Sequence, residues 1–169
     1  MMQTKAKFKK LYNQHYKAIY NFCFRMLGNH ENARDITQET FIKLLNRENK
    51  PAANIQNTKA WLYKVAGNLC LNLLNTNTRR HEIENLLEKQ SIENTNPENI
   101  LINNEKTLMV RKAIAGLKPE KQLLILMYQD GLSYKQISEA TGINFKSVGK
   151  TLWRIINKLS ENINNESNE

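Results

Sequence analysis

Apolar residues recur along this chain with the period of an α-helix almost throughout. Phe8, Leu11, Tyr12, Ile19, Phe22, Cys23 and Met26 are spaced by three, four and seven, which predicts a helix over Phe8–Leu27. Gly28-Asn29 ends it, because both residues tolerate the left-handed conformation of a helix stop. A second helix follows from Glu31 to Leu45, burying Ala33, Ile36 or Thr37, Thr40 or Phe41, and Leu44. After a polar loop from Arg47 to Asn57 that contains Pro51, Thr58 is the expected N-cap of a third helix. Leu62, Val65 or Ala66, Leu69 and Leu73 form the stripe of that helix, and Ile83, Leu86 and Leu87 suggest a short helix after it. The run Gln90–Asn99 is polar, contains Pro97 and has no apolar repeat, so it reads as a linker. Helices resume over Met109–Leu117, about Glu120–Gln129, Tyr134–Ala140, and from an Asn144 cap to Leu159. Period-two alternation is nearly absent. The pattern predicts an all-α protein, with a frayed tail after Ser160.

Charge divides along the same lines. The 169 residues carry a formal net charge of +9. Residues 1–80 hold +10 of it, residues 81–107 hold −4, residues 108–160 hold +6 and residues 161–169 hold −3. Two basic blocks flank an acidic segment, which is the footprint of a polyanion partner or of a solvated cationic surface. The longest unbroken apolar stretch, Leu123 to Tyr128, is too short to span a bilayer. His15 and Lys17 interrupt any signal-type stretch behind the basic N-terminus. Two cysteines, Cys23 and Cys70, build no disulfide framework and point to a reducing, cytoplasmic compartment. Both lie on or beside apolar faces, as small core residues do.

The second block contains the stronger motif. Ser133 caps one helix, Thr141-Gly142 makes a tight turn, and Ile137, Ser138, Ile143, Val148 and Leu152 fall where a helix-turn-helix needs small or apolar residues. The opposite face of the last helix carries Lys146, Ser147, Lys150, Thr151 and Arg154, then Lys158. Such a face reads base edges near its N-terminus and holds phosphates around them. In the first block, Asp35, Gln38, Glu39 and Ile42 share an exposed face at spacings of three, four and seven. An acidic-amide patch on the most basic block suggests a protein partner. On the third helix Asn68, Asn72, Asn75 and Arg79 line a ridge, where Asn is a poor helix former but a good donor and acceptor for bases. Trp61 and Tyr63 either stack on unpaired bases or belong to the core. His15, His30 and His81 show no metal-ligand spacing with the cysteines, and no nucleophile elbow or phosphate-cradling loop occurs, so neither enzyme chemistry nor a cofactor is expected.

Taken together, these pieces resemble a bacterial sigma factor of the small extracytoplasmic-function (ECF) group of the sigma-70 family. Glu31-Asn-Ala-Arg-Asp-Ile-Thr-Gln-Glu-Thr-Phe41 and Trp61-Leu-Tyr-Lys-Val-Ala-Gly-Asn68 are similar to motifs of its region 2. Leu117-Lys-Pro119, Asp130-Gly-Leu-Ser-Tyr-Lys-Gln-Ile137 and the stretch on to Arg154 resemble region 4. The resemblance implies a region 2 bundle over residues 1–81, an acidic flexible linker over 82–106, a region 4 helix-turn-helix domain over 107–162, and a disordered tail over 163–169.

It also implies roles. Asp35, Gln38, Glu39 and Phe41 would bind core RNA polymerase, on the clamp helices of its largest subunit, while region 4 meets the flap region. Trp61, Asn68, Asn72, Arg79 and Arg80 would engage the minus-10 element as it melts, and the loop before Thr58 would capture a flipped base of the non-template strand. Lys146, Ser147, Lys150, Thr151 and Arg154 would read the minus-35 duplex. An anti-sigma factor is the further partner implied. The two modules fill most of the chain, so no extra self-inhibiting domain is expected. Gly67 and Asn75 stand where relatives often have Arg or Lys, Asn72 where Asp is also common, and Gly149, Lys150 and Thr151 depart from the usual basic and Ser run of the recognition helix, which bears on promoter sequence rather than on function. The alternative is a stand-alone helix-turn-helix regulator binding an operator, which leaves Asp35 to Phe41 without a task.

Overall fold

The computed structural model describes residues 2–48, 55–87 and 105–166, which form seven helices and, among those residues, no strand. They are α1 (Met2–Leu27), α2 (His30–Glu48), α3 (Thr58–Leu87), α4 (Glu105–Ala115), α5 (Pro119–Gln129), α6 (Tyr134–Thr141) and α7 (Phe145–Glu166).

The first three pack as a bundle. Ile19, Phe22, Cys23 and Met26 of α1 meet Ala33, Ile36, Phe41 and Leu44 of α2 and Leu62, Tyr63, Ala66 and Cys70 of α3, all buried. Phe22 and Tyr63 cross edge to face at 4.9 Å between ring centroids. Truncating a fully buried Phe such as Phe22 costs about 3–5 kcal/mol. Thr37 and Thr40 sit in this core because their hydroxyls donate to the Ala33 and Ile36 carbonyls, at 2.6 and 2.8 Å, leaving their methyl groups to pack. Cys23 and Cys70 are free and buried, as the sequence suggested, and they touch: contact with Cys23 and burial both push the Cys70 thiol up. Gly28 closes α1 at φ +66°, and the Asn29 side chain accepts from the Asn32 N–H to start α2.

The second module is α4–α7. Pro119 opens α5 at its first position, and Ser133 with Gln136 forms a reciprocal capping box on α6. Gly142, at φ +77°, makes the turn to α7, and the Asn144 side chain accepts from the Lys146 N–H. Across that turn the Ser138 hydroxyl donates to the Ile143 carbonyl at 2.7 Å. Val148, Leu152, Ile155 and Leu159 of α7 are buried, as their spacing predicts.

Three expectations shift. The N-cap of α3 is Asn57 rather than Thr58: its side chain accepts from the Ala60 N–H at 3.0 Å, which places the cap one residue earlier. The stripe of Ile83, Leu86 and Leu87 is not a separate helix, since α3 runs unbroken to Leu87 and α4 begins at Glu105, so helix occupies both ends of the expected linker. No Gly or Pro follows Leu159, and α7 accordingly continues to Glu166, beyond the expected fraying point. The polar run Gln90–Asn99 lies outside the described residues.

The two modules touch. Helix α5 packs on α1 and α3, and α6 packs along α3. Six consecutive residues of α5, Gln122 to Met127, are buried because one face meets its own module and the other meets the bundle.

Candidate promoter and polymerase interface

Each exposed face follows from which side of its helix the core claims. On α2 the core takes Ala33, Ile36, Thr37, Thr40, Phe41 and Leu44. Asp35, Gln38, Glu39 and Ile42 are left outward on a continuous ridge. Ile42 is 56% exposed, an apolar residue set among acids and amides. The Glu39 carboxylate pairs with Lys43 at 3.2 Å, a surface contact of about 0.3–0.5 kcal/mol that leaves it available to a partner. Phe41 is the correction here. Its ring is 2% exposed and lies between Phe8, Tyr12 and Tyr16, at 6.5, 4.9 and 6.0 Å, so it sets the pose of α2 and offers no surface. The signal was present in the sequence, since the same periodicity that exposes Asp35 buries a residue six positions on.

On α3, Asn68, Asn72 and Asn75 are exposed on one side. Trp61 is half-buried, and the Arg47 guanidinium lies 5.7 Å from its ring centre, a cation–π contact that fixes the ring beside the start of the helix. Tyr63 turns inward; burial and the Asp130 carboxylate keep its phenol protonated well above the usual range. Trp61 therefore remains at the surface, and Tyr63 belongs to the core. Arg79 and Arg80 fall on the backbone of α3, and their side chains lie outside the described residues.

On α7, Lys146, Ser147, Lys150, Arg154 and Lys158 are exposed along one face. Thr151 is half-buried and donates to the Ser147 carbonyl at 2.8 Å, so its hydroxyl is engaged within the helix. One feature was missed in the sequence. Phe145, the first residue of α7, is 57% exposed beside Lys146, where a recognition helix meets bases. Its apolar ring has the chemistry for a thymine methyl. At Gly149 a Cβ would lie 3.2 Å from the half-exposed Tyr134 ring, which would have to shift by a few tenths of an ångström to admit it.

The fold and its surfaces define a two-module helical factor, one module a helix-turn-helix with a cationic reading face, the other a basic bundle with an acidic ridge. Sigma-70 region 2 matches residues 11–80 and Sigma-70 region 4 matches residues 107–161. The chain belongs to the ECF group of the sigma-70 family, whose members are non-catalytic initiation factors that direct RNA polymerase to promoters. It is 28% identical to the RNA polymerase sigma factor YlaC of Bacillus subtilis, covering 99% of this chain and 98% of that one. It is 27% identical to the ECF RNA polymerase sigma factor SigE of Mycolicibacterium smegmatis, covering 95% of this chain and 63% of the relative. The fold is similar to that of the sigma factor RpoE of Bartonella quintana, solved in complex with the anti-sigma factor NepR. There the TM-score is 0.69 at 19% identity, over 92% of this chain and 95% of that one. Matches to both modules set aside the stand-alone operator-binding regulator. Among the described residues no helix is long and apolar enough to cross a membrane.

Proposed function

We propose that the work of initiation is divided among three faces of this cytoplasmic factor. The α2 ridge of Asp35, Gln38, Glu39 and Ile42 docks on the clamp helices of the polymerase's largest subunit. The outer side of α3, with Trp61, Asn68 and Asn72 and then Arg79 and Arg80, engages the melting minus-10 element. The α7 face, with Lys146, Ser147, Lys150 and Arg154 and led by Phe145, reads the minus-35 duplex while region 4 meets the flap. Stacking an unpaired base on an aromatic ring such as Trp61 is worth about 1–3 kcal/mol, which favours melting without nucleotide hydrolysis. An anti-sigma factor, as RpoE of Bartonella quintana has, is the partner that would compete for these faces.

The observation that carries this reading is the pairing of opposite surfaces on separate helices: an exposed acidic-amide ridge on α2 and an exposed cationic face on α7. A DNA-binding domain alone needs only the second. The test is run-off transcription with core polymerase on a genomic promoter library. The expected result is promoter-specific transcripts only when the chain is added. Their absence over the whole library would overturn the assignment.

A further inference from the structure

Trp153 and Phe145 are, at 63% and 57%, the two most exposed large apolar side chains among the described residues. Both belong to α7, and they stand eight residues apart, so they fall on one ridge of that helix. The residue between them on the ridge is Gly149, which brings no side chain, and the Tyr134 ring of α6 lies against it: a Cβ there would sit 3.2 Å from the ring. Tyr134 is itself 41% exposed. The ridge is therefore aromatic or bare from one end to the other. Immediately beside it run Lys146, Lys150 and Arg154, each one residue on from a member of the ridge, and all three are exposed. The core side of α7 is taken by Val148, Leu152 and Ile155. The Asn144 side chain accepts from the Lys146 N–H at 2.9 Å, which fixes Phe145 as the opening residue of the helix.

An exposed apolar residue standing alone needs no explanation, but two rings set along a cationic ridge do. The cations select a polyanion. Within the major groove of duplex DNA the base edges offer nitrogen, oxygen and amino groups with one apolar exception, the C5 methyl of thymine. We propose that the Phe145–Trp153 ridge reads thymine methyl groups in the minus-35 duplex, while Lys146, Lys150 and Arg154 hold phosphates alongside. This rests on the reading of α7 as the minus-35 helix and adds which base that helix asks for. The spacing of the rings sets the spacing of the bases. Eight residues of helix rise about 12 Å, which is about three or four base-pair steps of roughly 3.4 Å. The element therefore holds two thymines at that separation, on either strand. Phe145 takes the one at the end where the recognition helix enters the groove, and Trp153 takes the other. Cytosine at either place lacks the methyl and sets an amino donor against an apolar ring, where it is left without a partner.

The experiment uses the full chain with core polymerase. Promoters are first selected from a genomic library by run-off transcription. Each thymine of the minus-35 element is then replaced by deoxyuridine, which removes the methyl and leaves the base pairing unchanged. At two positions, about three or four base pairs apart, the replacement should weaken binding by about fourfold, the worth of one buried methyl. The loss at one position should vanish in Phe145→Ala and the loss at the other in Trp153→Ala. Both side chains are more than half exposed, so both variants should melt with the wild type. Wild-type binding that ignores every methyl would overturn the inference, as would losses that persist in both variants or couple to only one ring. Indifference to the methyls, together with lost capture of core polymerase by Trp153→Ala, would overturn it in favour of a protein-docking ridge. If the chain directs polymerase to no promoter, the sigma-factor reading itself falls and takes this inference with it. Methyl indifference on a selected promoter sinks the inference alone and leaves that reading standing.

Discussion

The cationic face of α7 has a quantitative signature in salt. Lys150 and Arg154 are both exposed, one turn apart, and neither is in an ion pair among the described residues. If each neutralises one phosphate, Lys150→Gln with Arg154→Gln releases two fewer contacts' worth of counterions. The slope of log affinity against log salt then becomes shallower by about 1.8, at about 0.9 per phosphate. Between 50 and 200 mM salt the ratio of wild-type to variant affinity should shrink by about tenfold, from the same coefficient. Gln has nearly the helix propensity of Lys and Arg, so melting should move by less than about 0.5 kcal/mol. The assay is binding of the chain with core polymerase to a promoter fragment, by anisotropy across a salt series. Parallel wild-type and variant lines would show the face to be merely solvated and would sink the reasoning.

Three further outcomes are expected. Asp35→Ala with Glu39→Ala should remove capture of core polymerase by the tagged chain while unfolding shifts by less than about 1 kcal/mol, since both side chains are exposed; retained capture would move the docking surface off α2. Gly149→Ala should raise the melting temperature by about 1–2 °C, because removing a helical glycine gains up to about 1 kcal/mol and the Tyr134 ring at 3.2 Å, itself 41% exposed, can swing aside; a lower temperature would mean that the ring is held. His15 has its pKa lowered from 6.5 by burial and then by the charge of Lys59, so the folded chain binds that proton less readily than the unfolded one. Its contribution to stability is present above pH 6.5 and is lost as pH falls below it, so His15→Gln should flatten the difference in urea midpoints between pH 7.5 and 5.5.

Most of the fold was legible because local signals agreed. Ser133, Gly142 and Asn144 each announced a helix boundary that the structure keeps, and the α7 stripe from Val148 to Leu159 needed no tertiary help to read. What escaped was whatever depends on a second element. Periodicity alone left Thr40 or Phe41 open, and both are buried, because the threonine hydroxyl finds its acceptor one turn back. Asp130 follows the expected helix end at Gln129, and only the spatial approach of Arg25, Lys59 and Tyr63 shows its other task, joining α5 to the bundle. Gly67 stood out in the sequence as a departure, and the departure is where α5 needs room.

The apolar run of α5 sets how strongly the two modules hold together. Leu123 and Met127 lie against α3 at Gly67, and burying two such side chains is worth about 1.5–3 kcal/mol each. The charge-assisted bonds on Asp130 add about 1.5–3 kcal/mol. Against this stands the cost of bringing the modules together, about 4 kcal/mol for an effective concentration in the millimolar range. The balance favours docking by about 0.5–5 kcal/mol. That favours the docked arrangement when the chain is alone, and is small beside the roughly 12 kcal/mol of a nanomolar complex with polymerase. A single charge reversal at Asp130 spans most of that margin. A loss of one buried methyl at Leu123 does not, which is why the ionic variant rather than an apolar truncation is the sharper probe of whether the two modules part.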